Sequence, residues 1–368
     1  MTQQTEIVVP SQRPPVMSTG IFGWLRANLF STWYNALLTI LIVYFLARII
    51  PPIIEWAFIN AHWGRQPSDV CRGEGLSGAC WPLIADKWRL MIFGLYPYAE
   101  QWRPALAVAL CVALLVFSGL RRFWNRKLFV VWAIGLIVMY TLMRGGILGL
   151  TPVPVENWGG LPLTLGLSVI GLALAFPVGI VLALGRRSDL PAIRMICVIY
   201  IELIRGVPLI TVLFMASLLV PLFLPQDLTI NKLLRAQIGF TMFAAAYLAE
   251  VVRGGLQAIP KGQYEAADSL GLSYWQKIRL IVLPQALRIS IPPLVNTFIG
   301  FFKDTSLVII IGLYDLLGAA KLAVTDAAWR GFYKEPYLVV ALIYFAFCFS
   351  MSRYSQALEK RVNVGTRR

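Results

Sequence analysis

Apolar runs, each close to the roughly 20 residues that a helix needs to cross a bilayer, follow one another along most of this sequence. Hydrophobic residues make up 58% of the chain and charged residues only 14%. Because a soluble domain carries about 25% charged residues, this balance excludes an ordinary soluble globular protein. We predict an all-α polytopic membrane protein with about eight transmembrane helices. The predicted spans are residues 35–58, 105–119, 128–143, 161–184, 195–224, 236–252, 289–313 and 337–352.

The distribution of basic residues predicts the orientation, because Lys and Arg are retained on the cytoplasmic side of membrane helices. With the N-terminus inside, the cytoplasmic segments hold more than half of the 33 Lys and Arg residues and fewer than a third of the 18 acidic residues. We therefore expect both termini in the cytoplasm. Because the basic residues are spread over separate segments and form no stripe beside stacking aromatics, nucleic-acid binding is not expected.

The chain divides near residue 150, where the turn-rich stretch TPVPVENWGG follows the third predicted span. Three spans precede this stretch and five follow it. The predicted segments are a cytoplasmic N-terminal segment 1–33, a three-span extension 34–150 with an outer loop 59–104, a five-span core 151–358 with a cytoplasmic loop 253–288, and a basic cytoplasmic tail 359–368.

Two cysteines, Cys71 and Cys80, lie in the predicted outer loop, and the sequence leaves their state open. In an oxidising periplasm they would form a disulfide that closes a small Gly-rich hairpin, and otherwise they are free thiols. Together with His62, the only histidine, they supply too few ligands for a structural zinc, so we predict no metal site. The remaining cysteines are expected to fill space within spans: Cys111, Cys197 and Cys348.

Residues 265–284 read EAADSLGLSYWQKIRLIVLP, a polar segment between two of the apolar runs. The first residues favour a helix, and Gly271 suits the left-handed position that follows a helix end. Ser273 can cap a second helix, which we expect Pro284 to close because proline cannot continue a helical hydrogen-bond ladder. A short helix, a fixed bend and another helix form a shape that suits docking into a groove of a soluble partner.

The spacing of this segment resembles the EAA loop of ABC-transporter permeases. It has Glu265-Ala266-Ala267, then three residues, Gly271, then nine residues and Ile281-x-Leu283-Pro284. Four stretches after residue 150 also resemble polar amino-acid uptake permeases, among them YIELIRGVPLITVLF and LPQALRISIPPLVNTFIGFFKDTSLV. The long N-terminal extension, with its GACW and YPYAEQWRP stretches, is similar to the larger, M-type permease of bacterial general L-amino-acid transporters.

The resemblance implies a transmembrane permease subunit of an ATP-binding-cassette importer that moves amino acids into the cytoplasm across a bacterial inner membrane. The implied partners are ABC ATPase subunits, a homologous second permease and a periplasmic amino-acid-binding protein. The EAA loop would couple the permease to the ATPase subunits. ATP and Mg would bind to those ATPase subunits. The implied coupling residues are Glu265, Ala266, Ala267, Leu270, Gly271 and Tyr274.

Two Glu-x-x-Arg pairs lie within or beside predicted spans, Glu202 with Arg205 and Glu250 with Arg253. Side chains three apart on a helix meet on one face, so we expect each pair to neutralise itself. Such intramembrane charges indicate either a polar substrate path or a structural ion pair between helices. At the end of the first pair, Arg205-Gly206-Val207-Pro208 predicts an unwound element because proline removes a backbone donor.

Lys303 and Asp304 lie well inside the predicted span 289–313, and neighbours in sequence point in different directions on a helix. They therefore cannot simply neutralise each other. Either they line the route of a zwitterionic solute, or they hold helices together. In the first case the path residues would be Glu250, Asn296, Lys303, Asp304 and Thr305.

The sequence contains no GxxxxGK[ST] phosphate-binding loop, so we do not expect this chain to bind ATP or another cofactor itself. The single histidine leaves no Ser-His-Asp or Cys-His set, and we expect no catalysis within the chain. Two alternatives stay open from the residues alone. One is an ion-gradient-driven secondary amino-acid transporter with Asp304 and Glu250 as ion sites, and the other is a membrane scaffold that does not transport.

Overall fold

The structure, a computed structural model, describes residues 20–73, 78–125, 127–147, 149–223, 225 and 230–363. Residues 1–19 of the predicted N-terminal segment and 364–368 of the predicted tail lie outside the described residues. The chain forms two compact units, and the boundary between them lies after Trp81. The unit before this point contains α1 (Gly20–Asn28) and α2 (Trp33–Ile54).

The second unit is a bundle of helices. Its earlier helices are α3 (Trp81–Phe93), α4 (Trp102–Gly119), α5 (Lys127–Arg144), α6 (Gly160–Arg186), α7 (Pro191–Gly206) and α8 (Leu209–Leu222). Its later helices are α9 (Lys232–Gln257), α10 (Lys261–Ser269), α11 (Tyr274–Lys277), α12 (Leu283–Ile289), α13 (Ile291–Asp304), α14 (Leu316–Ala323) and α15 (Lys334–Asn363). A two-residue strand β1 (Tyr314–Asp315) forms parallel bridges with Gly159 and Gly160.

Helix α2 has the character of a lipid-facing span. Thr32 caps its start, where the hydroxyl accepts a hydrogen bond from the backbone N–H of Asn35 at 3.4 Å. None of its side chains is buried within the structure. A helix that is apolar on every side and exposed on every side is suited to hydrocarbon rather than to water.

The centre of the second unit is the close pair α6 and α9, and α7, α8, α12 and α13 also contact α9. Two glycines of α6 allow the close approach. A Cβ on Gly171 would lie 2.6 Å from the ring of Phe240, and one on Gly179 would lie 3.0 Å from Leu248. Small residues at such positions are the usual way in which membrane helices pack tightly, because lipid supplies no hydrophobic force between helices.

Among the described residues, six helical segments are long and apolar enough to cross a membrane, and α7 with α8 forms a further pair that is bent by 106°. Helix α9, the remaining predicted span, falls outside this criterion, and charged residues such as Glu250 lower its hydropathy. The predicted all-α polytopic fold is confirmed. The predicted unwound element Arg205-Gly206-Val207-Pro208 is confirmed for its second half and wrong for its first: α7 continues through Gly206, and Val207 and Pro208 have extended backbone.

Two helices lie where the sequence analysis placed outer loops. Helix α3 occupies residues of the predicted loop 59–104, and its Leu83 and Met91 are buried. Helix α14 follows the last residues of span 289–313, with Asp315 capping its start by accepting from the Gly318 N–H at 2.8 Å. Both helices are too short to span a bilayer, so a search for long apolar runs does not find them.

Candidate functional site

The predicted coupling loop is a helix, a tight bend and a second helical segment. Helix α10 ends at Ser269, and Gly271 adopts a φ of +69°. The N–H of Gly271 donates to the Asp268 carbonyl at 2.9 Å, and the N–H of Leu272 donates to the Ala267 carbonyl at 3.3 Å. These bonds satisfy the last carbonyls of the helix, and the left-handed glycine predicted at this position is confirmed.

Side-chain contacts fix the two halves of the bend relative to each other. Ser273 and Gln276 form a capping box at the start of α11, in which the Ser273 N–H donates to the Gln276 side chain at 2.9 Å. Lys277 of α11 forms an ion pair with Asp268 of α10 at 2.5 Å. This ion pair bridges the bend from one helix to the next.

The expectation that Pro284 closes the second helix is wrong. The helical path continues through a π-helical turn, Ile278–Val282, and Pro284 lies in the first turn of α12. Proline is tolerated there because the first residues of a helix need no donor within it, and the wide preceding turn gives the ring room.

The bend exposes apolar side chains. Leu270, Tyr274 and Trp275 are 75%, 48% and 70% exposed. Glu265 and Ala266 are exposed as well, whereas Ala267 is fully buried. Of the two predicted small residues, Ala267 therefore packs against the protein itself, and only Ala266 contributes to the outer surface.

The segment after the bend packs tightly on the end of α9. Ile278 and Val282 belong to one buried cluster with Val252 and Leu256 of α9. At Gly255 the backbones approach so closely that a Cβ would overlap the next helices; its nearest atoms are Ser290 Oγ and the Ala286 carbonyl oxygen. The segments that follow the bend are therefore packed directly against α9.

A cluster of five charged residues joins α6, α7 and α9 near this end of the bundle. Glu250 binds Arg253 at 2.8 Å, Arg186 at 3.0 Å and Arg205 at 3.6 Å. Glu202 binds Arg186 at 2.7 Å. With three guanidinium groups and two carboxylates, the cluster carries one excess positive charge.

The predicted pair Glu250–Arg253 is confirmed, and the predicted pair Glu202–Arg205 is wrong. Arg205 instead contacts Glu250 and lies over the ring of Tyr247 at 5.4 Å. The Glu250 side chain is only 14% exposed and that of Glu202 is 55% exposed. A cation gains more from the less hydrated carboxylate, so three arginines converge on Glu250.

The other predicted path residues do not join this cluster. Asn296 and Lys303 are exposed on α13, and Asp304 is half-buried at its end. Thr305 is fully buried, and its hydroxyl donates to the Phe302 carbonyl of its own helix at 2.8 Å. In the described part of the chain, no ion pair within 4.0 Å involves Lys303 or Asp304, and no such pair joins either residue to Glu250.

In the first unit the structure joins Cys71 and Cys80 by a disulfide with a Cα–Cα distance of 5.9 Å. Beside it, the His62 N–H donates to the Ala79 carbonyl at 2.9 Å, and the Trp81 N–H donates to the His62 carbonyl at 3.1 Å. Among the described residues, no group of three or more His, Cys, Asp or Glu side chains is placed to hold a metal ion.

A buried arginine at the opposite end of the bundle is a feature that sequence reasoning missed. Arg103 is fully buried at the start of α4. It donates to the Leu142 carbonyl at 2.7 Å and to the Thr151 carbonyl at 2.9 Å, and Glu100 lies 3.4 Å away. Arg103 thereby connects α4 and α5 to the segment that leads into α6.

Asp315 was missed in the same way. It is fully buried and accepts a hydrogen bond from the Tyr344 hydroxyl of α15 at 2.9 Å. Burial raises the pKa of Asp315, while the hydrogen bonds from Gly318 and Tyr344 act in the opposite direction. Its position directly before an apolar helix is the only sequence signal, and that signal marks a helix cap.

The helices that are long and apolar enough to cross a membrane define a class, the polytopic membrane proteins. Residues 175–364 match the family model described as "Binding-protein-dependent transport system inner membrane component". The inner membrane amino-acid ABC transporter permease protein YhdY of Escherichia coli (strain K12) is 50% identical, over 93% of this chain and 93% of that protein.

Two further relatives show which part of the chain is shared more widely. The glutamate/glutamine/aspartate/asparagine transport system permease protein BztC of Rhodobacter capsulatus is 39% identical over 98% of this chain and 97% of its own length. The probable amino-acid ABC transporter permease protein YckA of Bacillus subtilis (strain 168) is 37% identical over 55% of this chain and 87% of its own length. The chain belongs to this family of inner membrane transport components, and its resemblance to ABC-transporter permeases for amino acids is confirmed.

Proposed function

We propose that this permease subunit moves amino acids into the cytoplasm as part of an ATP-driven importer. The observation that carries the proposal is the exposed bend at Gly271, whose apolar side chains face outward while its inner side is packed on α9. The names of the two relatives that match almost the whole chain support amino acids as the solute class. Acidic amino acids and their amides, named for one of them, are the first solutes to test.

The bend transfers motion from a soluble ATPase to the spans. Leu270, Tyr274 and Trp275 give the ATPase an apolar contact surface. The ion pair between Asp268 and Lys277 keeps the two halves of the bend in one orientation. A force that the ATPase exerts on the apolar contact surface therefore displaces α10 and α11 together. The close contact at Gly255 then passes the displacement to α9.

The charged cluster holds α6, α7 and α9 as one body during this motion. Glu250 contacts arginines from all three helices, and Arg205 stands directly before the break at Val207 and Pro208. Because α8 begins after the break, it can change its angle to α7 without breaking the cluster. We assign Glu250 to this structural role and leave Asn296, Lys303 and Asp304 as the proposed path residues.

The proposed partners are two ABC ATPase subunits that bind ATP and Mg, a homologous second permease and a periplasmic amino-acid-binding protein. Both termini are proposed to be cytoplasmic. Two contacts support one consistent orientation. Arg187 donates to the Tyr264 hydroxyl at 3.1 Å, which joins two segments predicted to be cytoplasmic. Gly159 bridges Tyr314 at the other end, which joins two segments predicted to be outside.

The division near residue 150 remains our proposal for how the chain is organised. The relative from Bacillus subtilis covers 55% of this chain and most of its own length, which supports a common core and an additional N-terminal extension. The rival secondary transporter needs Glu250 as a cation site. Three arginines already surround that carboxylate, so its geometry does not favour cation binding.

Transport by the reconstituted complex tests the proposal. The permease would be purified with its copurifying subunits, placed in proteoliposomes with a binding protein, and supplied with labelled glutamate, glutamine or leucine. We expect uptake that needs ATP on the ATPase side and persists when ion gradients are collapsed by ionophores. Uptake that continues without ATP hydrolysis but stops with the ionophores would replace the proposal with a gradient-driven transporter.

A further inference from the structure

An arginine lies near the middle of the first span. The span Trp33–Ile59 has 27 residues, and Arg48 lies about 22 Å from its start and about 16 Å from its end at about 1.5 Å per residue. A hydrocarbon core of about 30 Å centred on this helix places Arg48 about 12 Å inside the nearer membrane surface. A charge at that depth is costly unless another group neutralises it.

The chain itself supplies no such group. Arg48 is exposed, and none of the side chains of α2 is buried. In the part of the chain that the structure describes, the Arg48 guanidinium has no ion pair, side-chain hydrogen bond or aromatic contact. Glu250, by contrast, contacts three arginines. Arg48 is therefore a membrane-level charge that its own chain leaves without a counter-charge.

The geometry of α2 also hinders the escape of this charge to water. Side chains of a helix point toward its N-terminus, so Arg48 points away from the nearer surface, which lies beyond the C-terminal end of α2. One turn later, Pro51 and Pro52 lack the N–H groups that would bond to the carbonyls of Ala47 and Arg48. A cation and two weakened backbone acceptors thus lie at the same level of the helix, and polar groups at such a level usually face another protein segment.

We propose that α2 is an assembly helix, in which Arg48 forms an ion pair with a carboxylate on a membrane helix of the homologous second permease. The identity of the partner rests on the proposed function. Of the proposed partners, the ATPase subunits and the binding protein are soluble, and only the second permease has helices at this depth. Lipid tails carry no charge there, so lipid alone leaves the guanidinium unneutralised.

A second copy of this chain does not fit the site through its own α2. Two α2 helices with the same orientation in the membrane would bring the two Arg48 side chains to the same depth, where like charges repel. The only acidic residue of the span, Glu55, lies about 10 Å further along the helix, so it does not match the level of Arg48. The complementary carboxylate therefore belongs to a different chain.

The ion pair would give the N-terminal extension a role in assembly. Helix α2 lies outside residues 175–364, which match the family model, so the proposed contact is an addition to the shared core. Two opposite charges in a medium of low dielectric attract strongly when they lie at the same depth and only weakly otherwise. The pair would thereby determine which helix of the second permease contacts α2 and at what level.

Site-specific photocrosslinking of the intact complex in membranes tests the contact. Photoreactive p-benzoylphenylalanine replaces Tyr44, which lies one turn before Arg48 on the same face of α2. Leu46 is the matched control, because it is also exposed but lies on the other face of the same span. We expect an adduct with the second permease from position 44 and about tenfold less from position 46. Equal adducts from both positions, an adduct with another protein, or no protein adduct from position 44 would overturn the proposal.

Charge variants of the full chain give an independent readout, the amount of second permease that copurifies. Arg48→Leu makes the span more apolar, so failed insertion cannot explain a lost partner. We expect Arg48→Leu to lower copurification about tenfold, equivalent to about 1.4 kcal/mol, and Arg48→Lys to retain most of it. Arg26→Leu in α1, also an exposed arginine but placed before the span, is the control and should behave as the wild type.

A charge exchange identifies the partner group. Arg48→Glu should lose the second permease, and replacing the complementary carboxylate of that permease by arginine should restore copurification. Wild-type copurification by Arg48→Leu would overturn the proposal, as would a wild-type chain that copurifies with no second permease. Because these measurements follow assembly, uptake driven by an ion gradient instead of ATP would refute the proposed function without changing them.

Discussion

Replacement of Gly271 by valine tests the coupling bend most directly. Gly271 has a φ of +69°, and a Cβ at this position would meet no atom within 4 Å. A substitution therefore introduces backbone strain without a steric clash. A non-glycine residue in the left-handed region costs about 1–2 kcal/mol. That free energy lowers the population of the bent conformation about 5- to 30-fold relative to its alternatives.

We expect Gly271→Val to reduce solute-stimulated ATPase activity and uptake in this range, while the variant remains in the membrane and assembles with its partners. The assay is ATPase activity and initial uptake in proteoliposomes, normalised to assembled complex. Gly262→Val is the matched control, because Gly262 lies in the same loop, has no positive φ and also has open space around a Cβ.

Gly271→Asn supplies a second comparison, because asparagine tolerates the left-handed conformation better than valine does. It should restore much of the lost activity. Wild-type uptake by Gly271→Val would refute the reasoning. An equal loss for the valine and asparagine variants would also contradict it, since the loss would then follow the side chain rather than the backbone conformation.

Three further predictions concern other parts of the chain. If Cys71 and Cys80 are bonded and outside, a membrane-impermeant thiol reagent should label them in spheroplasts only after reduction, and labelling without reduction would exclude the disulfide. If Lys303 and Asp304 line the path, Lys303→Met and Asp304→Asn should change relative uptake of arginine, leucine and glutamate; equal loss for all three solutes, in proportion to complex yield, would indicate a structural role. The Lys87 ammonium holds the pKa of Asp326 below its usual range, so this contact stabilises the fold above the ordinary aspartate pKa and is lost as the pH falls through the lowered value. The thermal midpoint should therefore drop more for the wild type than for Asp326→Asn between about pH 5 and about pH 3, and equal drops would contradict the contact's role.

The long helices could be predicted from the sequence because hydrophobicity over about 20 residues is a local property. Residues 128–143 were predicted as a span, and the structure forms α5 at Lys127–Arg144. Helix α3 was missed because it is short and because Asp86 and Lys87 interrupt its apolar residues, although Leu83 is buried. Its burial depends on segments distant in sequence, which a local pattern does not contain.

The bend at Gly271 was predictable for a similar reason, since a helix end followed by glycine specifies its own backbone conformation. The partner of Arg205 was not. Spacing along one helix allowed Arg205 to pair with Glu202, but Arg205 forms its ion pair with Glu250 on another helix. Spacing therefore identifies which charges can meet, and only the packing of the helices decides which of them do.

The polarity of α9 has a structural explanation. Phe240, Ala245 and Val252 are fully buried, and five other helices surround α9. A helix that is enclosed by protein has little contact with lipid, so it can carry Glu250 at a much lower cost than a peripheral span could. Helix α9 is not apolar enough to be recognised as a span, because mean hydropathy measures how well a helix suits lipid rather than how well it suits a protein interior. Because α9 is largely enclosed by other helices, it can hold the ion pairs that join the coupling bend's neighbours α6 and α7 to it.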